Sequence, residues 1–143
     1  MRTLTTANSV LQLAVTGLFP VPQRLQGYAT DDIFSTEALD SAEVIMGVDG
    51  KLSAGFVYVA VKQSYSLQAD SNSNAIFEQW YAQQQALRDV LFAQATIALP
   101  SLQQKWAMTN GVLTSFPPMP DGGKTLKPRK FGITWESISP APF

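Results

Sequence analysis

The stretch EVIMGVDGKLSAGFVYVAVKQSYSLQA, Glu43 to Ala69, decides how this chain folds. Val44 to Val48 is β-prone. Asp49-Gly50 supplies a tight turn, because a type I′ turn needs positive φ at both central residues and Asp and Gly tolerate it. Leu52 to Val61 then runs back as a long second arm, and Gln63 to Leu67 alternates apolar with polar residues. The centre of the returning arm, Phe56-Val57-Tyr58-Val59-Ala60-Val61, has no polar face. Side chains alternate sides along a strand, so both faces of this one are expected to be covered by protein. One face can pack on the chain's own core; the other needs a helix or a neighbouring subunit.

Outward from the hairpin, short strands are predicted over Ser9–Thr16, Gln23–Ala29 and Ile33–Thr36, with turns at Gly17–Pro22, where proline makes the strand stop or reach an edge, and at Thr30–Asp32. Glu37 to Ser41 reads as a loop or one helical turn. Asp70-Ser71-Asn72-Ser73-Asn74 is rich in capping side chains and starts a helix over Ala75–Phe92, whose apolar residues Ile76, Phe77, Trp80, Tyr81, Leu87, Val90 and Leu91 recur at three- and four-residue spacing. Gln94–Leu99 is a further strand. Asn110-Gly111 predicts a second hairpin between Gln103–Thr109 and Val112–Phe116. Phe131–Ile138 alternates cleanly. Residues 1–8 read as a flexible leader, 117–129 as a loop and 139–143 as a C-terminal tail. The fold class expected is mainly β: one domain over 1–143, an antiparallel barrel or sandwich of eight or nine short strands with one packed α-helix. Trp80, Trp106 and Trp135 sit in apolar stripes and are assigned to the core.

Composition narrows the function. The 143 residues suffice for one core, and 15% charged residues is low for a soluble domain. A net charge of −1 gives no global attraction to nucleic acid or anionic lipid. The absence of Cys and His removes thiol chemistry, Cys/His zinc sites and histidine acid–base catalysis. No apolar run approaches the roughly 18 residues of a membrane span, so a soluble intracellular protein without a membrane anchor is expected. Asp31 and Asp32 are the one adjacent carboxylate pair, in a turn. With Asp40 they lack the spacing of a calcium loop. Gly47–Lys51 and Gly122-Gly123-Lys124-Thr125 fall short of a phosphate loop: the first lacks the Gly-Lys-Ser/Thr ending, and the second lacks the upstream glycine and a leading strand. No catalytic residue, cofactor site or metal site emerges, and a structural or binding role, not an enzyme, is expected.

Charge is segregated. Six of the eleven acids (Asp31, Asp32, Glu37, Asp40, Glu43, Asp49) lie between residues 31 and 49, and four of the ten bases (Lys124, Lys127, Arg129, Lys130) between 124 and 130. The bland reading is two solvated loops; the sharper one is a complementary pair meeting between copies of the protein.

Taken together, Gly47-Val48-Asp49-Gly50-Lys51-Leu52-Ser53, the strand through Val57 to Val61, Gln63-Ser64, Leu67-Gln68, the Asn72/Asn74 helix start before Phe77 and Trp80, and the closing Lys130-Phe131-Gly132-Ile133-Thr134-Trp135-Glu136 resemble the tail tube proteins of contractile-tailed bacteriophages over about residues 9–138. Val48 and Tyr65 depart from that family's smaller residues. The resemblance implies a small β-barrel or sandwich with one helix, six copies in a ring, and rings stacked into the inner tube of a contractile tail. It implies partners as well: further copies of itself, the tail sheath, baseplate and tail-terminator proteins, and genomic DNA passing through the lumen without sequence-specific binding. The place implied is the virion, after assembly in the host cytoplasm. The candidate subunit or ring interface is Asp31, Asp32, Asp40, Glu43, Asp49 and Lys51 with Lys124, Lys127, Arg129 and Lys130. Two alternatives stay open: a tube subunit of a related injection machine (type VI secretion or tailocin), and a monomeric β-sandwich binding module.

Overall fold

The computed structural model describes residues 9–26 and 33–142. Ten strands and one helix follow in order: β1 Val10–Val15, β2 Phe19–Arg24, β3 Phe34–Thr36, β4 Ala42–Met46, β5 Leu52–Phe56, β6 Val61–Leu67, α1 Asn74–Leu87, β7 Ala93–Leu99, β8 Gln104–Ser115, β9 Arg129–Trp135 and β10 Ser137–Ala141. Eight of them form one antiparallel sheet in the order β2-β1-β7-β8-β9-β6-β3, with β10 beside β8; β4 and β5 form a separate two-stranded ribbon. The mainly β, antiparallel, one-helix class read from the sequence is what the chain adopts.

The sheet wraps around its core because β8 turns a corner. Its first half pairs with β7 and β10 and its second half with β9. At the corner Asn110 takes φ +49°. Asn is among the few residues other than glycine that accept such backbone. A Cβ on Gly111 would stand 2.3 Å from Cε3 of Trp135, so the indole packs directly on the bare backbone. The Asn-Gly pair therefore makes a bulge inside one long strand and not the expected hairpin. β9 and β10 kink opposite it, where Glu136 N donates to Thr109 O at 3.1 Å. Pro140 and Ala141 thus belong to β10, paired with Trp106 and Lys105, and are not a loose tail. Arg129 likewise opens β9, so the loop before it ends sooner than expected.

Inside lie Leu11, Leu13 and Val15 of β1, Tyr65 and Leu67 of β6, Ile97, Met108 and Phe131, Ile133 and Trp135 of β9. α1 closes this core with Phe77 and Trp80, both wholly buried. Each is worth about 1.5–3 kcal/mol of burial or somewhat more. Phe77 stacks on Phe131 at 4.2 Å and Tyr81 on Phe116 at 4.3 Å between ring centroids. The helix stops at Leu87, short of the expected Phe92, because Arg88 adopts the left-handed conformation. The chain then folds back on the helix: Trp80 Nε1 donates to Leu91 O, and Leu91 N donates to Gln84 Oε1. Leu87 and Val90 consequently stay exposed although both fit the helical stripe.

β2 begins earlier than expected and holds Pro20 and Pro22. Prolines are tolerated because β2 is the outermost strand, paired on one side only. The predicted strand end at Ala29 and the turn at Asp31-Asp32 fall outside the described residues. Glu37 to Asp40 is loop.

A projecting apolar arm and an open apolar socket

The stretch that opened the sequence reading leaves the body of the fold. Its neck is clasped where Glu37 N donates to Lys62 O at 3.0 Å and Gln63 Nε2 donates to Thr36 Oγ1 at 2.8 Å. Gln63 is buried, and its Oε1 accepts from Trp135 Nε1 at 3.1 Å and from the Tyr65 hydroxyl. A buried amide satisfied on three sides holds β3, β6 and β9 together at the root of the arm.

Beyond the neck the two legs meet again where Val57 N donates to Ser41 O, and then run as the β4–β5 ribbon. The tip is Gly47-Val48-Asp49-Gly50, closed by Gly50 N donating to Gly47 O at 3.0 Å. Gly50 has φ +83°, and Asp49 does not share positive φ. The turn is therefore centred on Val48-Asp49 with Gly50 following in the left-handed region, one residue earlier than the type I′ turn expected. Asp49 Oδ1 accepts from Lys51 N and lies where a Cβ on Gly47 would come within 2.6 Å, so Gly47 cannot carry a side chain without displacing it.

The register pairs Ala42 with Phe56, Val44 with Ala54 and Met46 with Leu52. All six share one face of the ribbon, and all six are apolar and exposed. Val44, Met46, Leu52 and Phe56 are 61%, 65%, 61% and 71% exposed. The opposite face carries Glu43, Ile45, Ser53 and Gly55. The returning arm does not continue as one strand to Val61: β5 ends at Phe56, residues 57–60 are irregular, and Tyr58 is 92% exposed. The expectation that both faces of this run are covered by protein therefore fails within one chain. An isolated two-stranded ribbon is at best marginal in water, and an uncovered apolar face of this kind marks an interaction surface.

A socket of about 340 Å³ opens beside the neck, between the β7–β8–β10 half of the sheet and the β3–β6 half. Ile97, Leu99, Trp106 and Met108 wall one side, and Phe34 and Val61 the other. Thr36, Glu37, Leu39, Gln63 and Ile138 complete its lining.

The charged residues singled out from the sequence are scattered. Asp40, Glu43, Asp49 and Lys51 are exposed on the arm, Lys124 and Lys127 are exposed in the loop before β9, and Lys130 is exposed on β9. Asp31 and Asp32 lie outside the described residues. Arg129 is not a surface residue. It is buried, donates through Nη1 to Glu78 Oε1 at 2.7 Å and through Nη2 to Pro117 O at 2.9 Å, and stacks its guanidinium over Phe116 and Phe131. This is the one ion pair among the described residues. What the charge pattern did not reveal is the six-residue apolar face. Its signal was present in the alternation of 42, 44, 46 with 52, 54, 56, once the turn fixes which residues oppose each other.

Set against known families, residues 2–139 match the family described as tail fiber protein gp32. The chain belongs to the tail fiber protein gp32 family. In fold this gp32 family member overlays chains of contractile injection systems. One comes from the extended-state sheath/tube terminator of the extracellular contractile injection system PVC, with TM-score 0.65 and 10% identity over 99% of this chain and 98% of that one. A second comes from the tube-terminating cap of the anti-feeding prophage, with TM-score 0.64 and 13% identity over 100% and 93%. A third comes from the baseplate of the same prophage, with TM-score 0.61 and 10% identity over 99% and 98%. No curated protein matches this gp32 family member in sequence. The likeness to tail tube proteins read from the sequence is borne out at the level of fold.

Proposed function

We propose that this chain is a non-enzymatic structural subunit of a contractile phage tail, self-assembling into hexameric rings that stack into the inner tube through which DNA is delivered. Its partners on this reading are further copies of itself, the sheath, the baseplate and the terminator, and the passing genome, in a virion assembled in the host cytoplasm. The supporting observation is the bare apolar face of the β4–β5 ribbon. Covering Val44, Met46, Leu52 and Phe56 contributes about 1–2 kcal/mol each, since part of each side chain is already sheltered. That gross gain only matches the roughly 4–15 kcal/mol that association costs. One such contact makes a weak pair; a closed ring in which every copy both gives and receives a contact makes a stable particle.

A second reading has its own support. The three chains described above come from cap, terminator and baseplate structures, and on this reading the subunit forms a ring at one end of a tube. Negative-stain images of the purified chain at rising concentration separate the readings. Stacked rings with a central hole are expected, single rings favour the second reading, and a compact monomer or an elongated fibre overturns both. Val44→Lys with Leu52→Lys should abolish the rings while leaving the melting temperature nearly unchanged.

A further inference from the structure

The bare face of the ribbon has one chemically reactive member. Ala42, Val44, Leu52, Ala54 and Phe56 present only carbon, whereas Met46 presents a thioether sulfur, and most of its side chain is open to water. We propose that Met46 is a modification site, and that oxygen transfer from a peroxide to its sulfur disables the apolar face of the ribbon while the subunit is still free. The proposal rests on the self-assembly reading above and adds a control to it.

The step balances with hydrogen peroxide as the oxidant. A lone pair of Met46 Sδ takes one peroxide oxygen, the O–O bond breaks as the S–O bond forms, and the remaining oxygen leaves as water. The sulfur loses two electrons and the peroxide gains them. The product is a polar sulfoxide, which sulfoxide reductases convert back. The fold sorts its four methionines for this reaction. Met46 pairs with Leu52 at the last rung before the turn, and Gly47 beside it has no side chain to shield it. Met119 is also exposed, in the loop between β8 and β9. Met108 is sealed in the core, and Met1 lies outside the described residues.

Of the two exposed sulfurs, only that of Met46 lies on the face whose cover the assembly reading requires. A sulfoxide oxygen is a strong acceptor. In the free subunit water satisfies it. Under a neighbouring copy it loses that water, and the six side chains of its own face carry no donor. Covering the face becomes harder while the fold is untouched, because Met46 is not part of the core. The reverse also holds: a covered Met46 is out of reach of the peroxide. The modification therefore acts on free subunits and spares assembled ones.

The chain has no cysteine, so methionine is the sulfur that peroxide meets. The wild-type chain is treated with hydrogen peroxide, oxidised positions are read by peptide mass spectrometry, and the concentration at which half the chain sediments as particles is measured before and after. Oxygen is expected on Met46 and Met119 and not on Met108, with an unchanged melting temperature and an assembly midpoint raised about tenfold or more. Reductases for both sulfoxide epimers should return the midpoint to its starting value. Met119→Leu should shift as the wild type does; Met46→Leu, compared with its own untreated midpoint, should not shift. Preformed particles should take oxygen on Met119 and not on Met46. Wild type that is oxidised at Met46 and assembles at its untreated midpoint overturns the proposal and leaves the tube reading standing, as does Met46→Leu shifting as far as wild type. Oxidation of Met46 in intact particles at the rate seen in free subunits overturns it too. An untreated chain that never sediments as particles overturns the self-assembly reading and this proposal with it.

Discussion

The β6–β9 pair and the β4–β5 ribbon obey the same rule and meet opposite fates. Both are antiparallel, both alternate, and both gather large apolar side chains on one face. In the body, Tyr65, Leu67, Phe131, Ile133 and Trp135 face α1 and β1 and are sealed from water. On the arm, Val44, Met46, Leu52 and Phe56 face nothing in their own chain. Alternation states that a face needs cover; it does not state whether the cover comes from the same chain.

Substitutions that should damage one region and spare the other put this contrast to the test. Trp135→Ala removes the side chain that fills the Gly111 corner and donates to Gln63, and should cost about 4 kcal/mol of folding stability, read by urea denaturation. Arg129→Ala strips an ion pair, a carbonyl contact and two aromatic stacks from the seam between helix and sheet, and should cost about 2–3 kcal/mol by the same measure. Glu78→Gln, whose side chain is half exposed, should cost under about 1 kcal/mol. Asn110→Ala forces an ordinary residue into the left-handed region and should cost about 1 kcal/mol, whereas Asn110→Gly should be nearly neutral. Phe56→Ser should alter folding by no more than about 0.5 kcal/mol yet eliminate particles in electron micrographs. Should Phe56→Ser unfold the chain, the ribbon belongs to the body after all and the contrast collapses. Smallest of all, Lys124→Glu with Lys127→Glu should leave melting unchanged and weaken assembly only at low salt, as exposed charges act over a Debye length of about 10 Å at 0.1 M.

Much of the body was legible in the sequence because its signals are local. β1, β6, β7 and β9 follow from alternation, and the Ser71–Asn74 helix start from side chains that bond nearby backbone. Even there the use differs in detail: Ser73 Oγ accepts from Gln26 N, tying a distant strand end in place of capping the helix. What was not legible depended on distant partners. Asn accepts positive φ in a hairpin and in a bulge alike, and only Trp135 packing on Gly111 settles which. The prolines of β2 fit a strand stop and an edge strand alike, and only the strand order of the sheet settles on the edge. Arg129 read as one more surface cation because Glu78, Phe116 and Phe131 are brought to it by the fold. On the arm, Phe56–Val61 read as one apolar strand, whereas the bare face is built by residues 42, 44 and 46 opposite 56, 54 and 52.

Pro20 and Pro22 on the outermost strand have a bearing on all of this. A bare strand rim is the readiest place for indiscriminate layering of one chain on another. Two residues with no amide hydrogen make that rim a poor template, so a stray strand finds little to pair with along it.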